Sequence, residues 1–83
     1  MPSREEVFKA VDSERDYQEA LKEVRDPTFR RTMGDYLTLL NHYIVEANQS
    51  YVRNRGPAMP LHEFRKIAAI AVKCMEEYGA PPR

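Results

Sequence analysis

Residues 33 to 51 read MGDYLTLLNHYIVEANQSY. Met33, Tyr36, Leu37, Leu40, Tyr43, Ile44, Ala47 and Tyr51 recur at intervals of three and four. That is the period of one face of an α-helix, not the two-residue period of a half-buried strand. Thr32 and Asp35 stand where a helix start needs side-chain acceptors for its free N–H groups. The spacing predicts a helix over about 33–52, roughly 30 Å long at 1.5 Å per residue. A stripe of that length requires a companion along it, either within the chain or from another copy.

On the C-terminal side, RNRGPAMP at residues 53–60 reads as a hinge, with one glycine and two prolines. Pro60 suits the first turn of a following helix, because its missing N–H has no helical partner there in any case. Phe64, Ile67, Ala68, Ala71, Met75 and Tyr78 then predict a helix over about 61–78, with Gly79 as its stop and PPR unable to continue it. On the N-terminal side, Ser3 and Glu6 form a capping-box pattern. Val7, Ala10, Val11, Tyr17, Leu21 and Val24 predict a helix over about 4–25, closed by RDP at residues 25–27. No alternating β-branched run or hairpin dipeptide competes. The expected fold is a single all-α domain over residues 1–83. Its second and third helices form a central antiparallel hairpin, and oligomerisation completes the packing.

Composition narrows the partners. An 83-residue chain buries little core, so self-association as a homo-oligomer is expected. Thirteen basic and thirteen acidic side chains cancel, and no nucleic-acid-reading motif is present, which argues against nucleic acid as a partner. No apolar run reaches the length of a membrane span, and the charged MPSREEVFKA start lacks the hydrophobic segment of a signal peptide, so a cytoplasmic protein is expected. The single cysteine, Cys74, lies in an apolar helical stretch and reads as an inert thiol. The charge is uneven: residues 27–83 carry three more basic than acidic groups, which favours an anionic ligand on that side.

One polar block interrupts the first helix. Glu14, Arg15, Tyr17 and Gln18 combine an acid, a cation, an aromatic ring and an amide, a set able to read a nucleobase and its phosphate together. It reads equally as a solvated helical turn. Arg53 and Arg55 flank the hinge, and Arg65 with Lys66 opens the third helix, where a helix N-terminus adds partial positive charge. Cations in such places are ordinarily solvent-facing. As a candidate ligand site the eight residues are Glu14, Arg15, Tyr17, Gln18, Arg53, Arg55, Arg65 and Lys66, with part of the set contributed by a neighbouring subunit. His42, alone on its helix, reads as a hydrogen-bonding histidine and not as a metal ligand.

AVDSERDYQ at residues 10–18 and RKIAAIAVKCMEEYGAPPR at residues 65–83 resemble small MazG-like proteins, many of them from bacteriophages. The wider MazG family consists of all-α nucleoside triphosphate pyrophosphohydrolases that work as dimers or tetramers. Their Mg²⁺ is held by two adjacent glutamates and a third three residues later, then by a glutamate and an aspartate three apart on the next helix. The resemblance places the first three positions at His42, Tyr43 and Glu46, and the last two at Glu63 and Lys66. Only Glu46 and Glu63 are acidic. Magnesium requires oxygen ligands, so two carboxylates beside a lysine form a poor site for it and a serviceable ion-pair network.

Three functions follow from this reading. A metal-dependent nucleotide pyrophosphohydrolase needs ligands that the chain lacks. A protein-interaction module that inhibits a host protein needs only exposed apolar surface. Non-catalytic binding of a nucleotide-type anion needs a positive, aromatic-lined pocket and no cofactor. The last is preferred, and the resemblance suggests a sponge that captures a signal nucleotide of a host defence system.

Overall fold

A computed structural model describes residues 1–22, 30–54 and 56–83. It contains three helices, α1 (Arg4–Lys22), α2 (Met33–Asn54) and α3 (Ala58–Tyr78), and no strand among the described residues. The predicted turn at residues 25–27, the stripe position Val24 and the hinge residue Arg55 lie outside the described residues.

Local chemistry sets the ends. At α2, Thr32 Oγ1 accepts from the Asp35 N–H at 3.1 Å while Asp35 Oδ2 accepts from the Thr32 N–H at 2.9 Å, a complete reciprocal cap. The Thr32 backbone N–H first, and the Thr32 hydroxyl second, hold the Asp35 carboxyl below its ordinary pKa. At α1 the exchange is partial. Ser3 Oγ accepts from the Glu6 N–H at 3.1 Å, but the Glu6 carboxylate takes the Ser3 hydroxyl and not its backbone N–H.

The start of α3 differs from the expected position by three residues. Pro57 is the cap, with φ of −83°, and its carbonyl accepts the Leu61 N–H at 3.1 Å. Pro60 therefore occupies the first turn as expected, two residues inside the start and not at it. Gly79 closes the helix at φ 112°, a value that favours glycine, and its N–H reaches the Met75 carbonyl at 2.8 Å.

Helix α3 is central. It packs closely against α2 on one flank and against α1 on another, whereas α1 and α2 do not pack on each other among the described residues. The buried apolar residues are few: Tyr36, Ala47, Ala69 and Ile70, with Pro60 beside the hinge. The hairpin is tied at its open end, where Tyr36 meets Tyr78 edge-to-face with ring centroids 6.3 Å apart and Tyr78 Oη donates to the Arg31 carbonyl at 2.7 Å. The Tyr36 hydroxyl is buried without a hydrogen-bond partner among the described residues. Burial first, and the neighbouring Glu77 carboxylate second, push its pKa well above the ordinary tyrosine value. The apolar stripe of α1 behaves differently from the expectation, because Val7, Tyr17 and Leu21 remain exposed.

Candidate functional site

The seam between α1 and α3 is ionic. Arg65 Nε donates to Glu14 Oε1 at 2.7 Å, and Arg15 Nε donates to Glu76 Oε2 at 2.5 Å. Arg15 also pairs with Glu19, one helical turn along α1, and Lys73 approaches Glu19 at 3.3 Å and Glu77 at 3.7 Å. Arg15 is 9% exposed, the one buried charged residue among those described. Burial opposes its charge, but the hydrogen bonds to Glu76 and Glu19 outweigh burial and raise its pKa. Its hydrogen bond in turn lowers the Glu19 pKa against the smaller cost of desolvation. This side chain is tied to structure on the inner side of the seam.

On the outer side of the same seam lies an open cleft of about 620 Å³. Ala10, Ser13, Glu14 and Tyr17 line it from α1, at the spacing of one helical face, and Arg65 and Lys66 line it from the first half of α3. Tyr17 is 60% exposed, so its ring is available to a planar partner. Arg65 is oriented by Glu14 and by His62 Nδ1 at 2.9 Å. Lys66 Nζ lies 3.3 Å from Glu63 Oε1 and 5.8 Å from the centre of the Tyr43 ring, within cation–π range. The second carboxylate oxygen of Glu63 is buried without a hydrogen-bond partner among the described residues, as is Gln18 Oε1.

Four of the eight candidate residues, Glu14, Tyr17, Arg65 and Lys66, thus meet at one cleft. Arg15 and Gln18 are not among its lining residues, Arg53 is exposed in the last turn of α2, and Arg55 lies outside the described residues. At the positions where the MazG resemblance expects metal ligands, His42 and Glu46 are exposed, Tyr43 sits beneath Lys66, and Glu63 is engaged by Lys66. This donor set does not fit Mg²⁺: an ammonium group occupies the place of a carboxylate. Among the described residues, no three His, Cys, Asp or Glu side chains gather as a metal site.

A second concavity, about 380 Å³ and mostly apolar, opens at the hinge end of the hairpin between Ile44, Tyr51, Pro57, Pro60, Leu61 and Phe64. Its sequence signal was present in the α2 stripe, which is too wide for one partner. Leu37, Ile44 and Tyr51, seven residues apart, form a second line beside Tyr36, Tyr43 and Ala47. No family model matches the chain, and no curated protein or solved structure matches it either.

Proposed function

We propose that the protein binds, without cleaving it, a small nucleotide-type anion in the cleft between α1 and α3. The observation that carries this reading is the meeting of an exposed aromatic ring, Tyr17, with two cations, Arg65 and Lys66, around one cleft. The ring offers stacking to a base, and the guanidinium offers two parallel N–H donors to phosphate oxygens. Charge balance narrows the ligand. Glu14 and Glu63 already neutralise Arg65 and Lys66, so a triphosphate would bring an excess of negative charge with no metal site to offset it. A singly charged phosphodiester, such as a cyclic nucleotide, needs only to share Arg65 with Glu14. A binder that leaves its ligand intact lowers the ligand's free concentration, which is the chemistry of a sponge.

Titration calorimetry with cyclic mono- and dinucleotides, nucleoside monophosphates and triphosphates tests the reading. The expected result is a preference for phosphodiesters over triphosphates, with binding weakened at least tenfold, about 1.4 kcal/mol, by Arg65→Ala or Tyr17→Ala. If no member of the panel binds more tightly than about 1 mM, the reading is wrong.

A further inference from the structure

Arg65 is held at two of its nitrogens. Its Nε donates to Glu14 Oε1 at 2.7 Å, and its Nη1 lies 2.9 Å from His62 Nδ1, one helical turn earlier on α3. A guanidinium has donors and no acceptor, so the His62 nitrogen accepts. That fixes the state of the ring: Nδ1 carries no proton, Nε2 carries one, and the imidazole is neutral. Two of the five guanidinium N–H groups are thereby engaged among the described residues, and the others stay available to phosphate oxygens. The contact cannot survive protonation of His62. An imidazolium donates from both nitrogens, and at 2.9 Å it would set one cation against another.

We infer, with the anion-binding reading as premise, that His62 is a positioning residue for Arg65 and makes capture of a phosphodiester depend on pH. The charges around the pair are few. On α3 itself, Lys66 is engaged by Glu63. From α1 comes Glu14, which already faces Arg65, and from α2 comes Tyr43, held beneath Lys66. No carboxylate pairs with His62 among the described residues, so a proton added there is not neutralised locally. The ring is exposed, and burial does not oppose its charge. While neutral, it holds Nη1 and aims the guanidinium. Once protonated, it releases Nη1 and brings a second positive charge beside Arg65. A phosphate between the two cations accepts from both, whereas the empty cleft has only their repulsion. Affinity therefore rises as pH falls from about 8 to 5.5, the window in which histidine ordinarily changes charge. Proton and anion favour each other by the same factor, as linkage requires.

Titration calorimetry with cyclic AMP and cyclic di-AMP, whose phosphodiesters keep a fixed charge, reads the effect at about pH 5.5 and 8 and constant low ionic strength. The parent should bind about three- to tenfold more tightly at the lower pH, the worth of one unit charge about 5 Å away in solvent-rich surroundings. His62→Asn can still accept from Arg65 but cannot gain a proton, and should bring the ratio to about one. His62→Lys, permanently charged, should flatten the profile as well, at the tighter level. His42→Asn should leave the parent's ratio in place. By NMR, saturating cyclic di-AMP should raise the midpoint of the His62 titration by about 0.5–1 pH unit, the same factor seen from the proton's side. Equal affinity at the two pH values, or a ratio that survives His62→Asn, overturns the inference and leaves the anion-binding reading standing. If neither phosphodiester binds more tightly than about 1 mM at either pH, the two fall together.

Discussion

Replacing Tyr36 by alanine is expected to remove about 3–5 kcal/mol of stability, a large share of what the chain has. Tyr36 is the only large side chain described as fully buried, at 1% exposure, and it joins the start of α2 to the end of α3 through Tyr78. Truncating a buried aromatic costs about 3–5 kcal/mol, since the cavity is only partly refilled. A domain of this length has about 4–12 kcal/mol in total. Tyr36→Phe should behave oppositely. It deletes a hydroxyl that is buried without a hydrogen-bond partner among the described residues, so the phenylalanine variant should match the parent or exceed it by up to about 1 kcal/mol. Urea denaturation followed by circular dichroism separates the cases. A Tyr36→Phe variant weaker than the parent by more than about 1 kcal/mol would mean that the hydroxyl and Glu77 form a hydrogen bond after all.

The second large effect is expected at Arg15. Arg15→Met preserves the bulk of the side chain and removes the charge, leaving Glu76 without its partner and Glu19 with Lys73 alone. Removing one partner of a fully buried pair costs about 3–5 kcal/mol. Both carboxylates are about half exposed and water will screen them, which reduces the expected loss to about 2–3 kcal/mol, or a fall of about 10–20 °C in Tm. Adding Glu19→Gln and Glu76→Gln to Arg15→Met should restore most of the loss, because the defect is an uncompensated charge and not a missing contact. Thermal melts of the single and triple variants decide it. A triple variant no more stable than Arg15→Met would show that the seam depends on the guanidinium's hydrogen bonds themselves. Ligand affinity of the folded single variant should be unchanged, which distinguishes a residue that holds α1 in place from one that touches the ligand.

The helices were legible because their signals are local. The α2 stripe, the Ser3 and Thr32 starts and the Gly79 stop all depend on neighbours within a few residues, and all three helices form where those signals stand. The start of α3 is ambiguous in the sequence because two prolines, Pro57 and Pro60, both fit a helix entrance, and the one that caps is distinguished only by backbone geometry. The block Glu14 to Gln18 shows the limit more clearly. Its composition fits a ligand site and an interhelical seam equally well, and the structure divides it between a cleft-facing Glu14 and Tyr17 and an inward-facing Arg15. The partner that draws Arg15 inward, Glu76, is 61 residues away, and no periodicity within either helix encodes that meeting.

The connectivity of this seam also sets an order of events during synthesis. Helix α2 meets α3 across a short hinge, whereas α1 is tied to α3 by Glu14 with Arg65, Arg15 with Glu76 and Glu19 with Lys73, across 51, 61 and 54 residues. Closing a loop that long costs about 1.5 kcal/mol more than closing one of ten residues. The hairpin should therefore form first and α1 dock last, a sequence that pulse-labelled amide exchange would reverse if α1 gained protection early. Helix α1 nevertheless leaves the ribosome before α2 and α3. Until Glu76 has been added it is a lone 19-residue helix, marginal in water, with Val7, Phe8 and Leu21 uncovered. Its ionic seam suits that interval, since a helix whose docking face is charged can wait in solution without being captured by the wrong apolar surface.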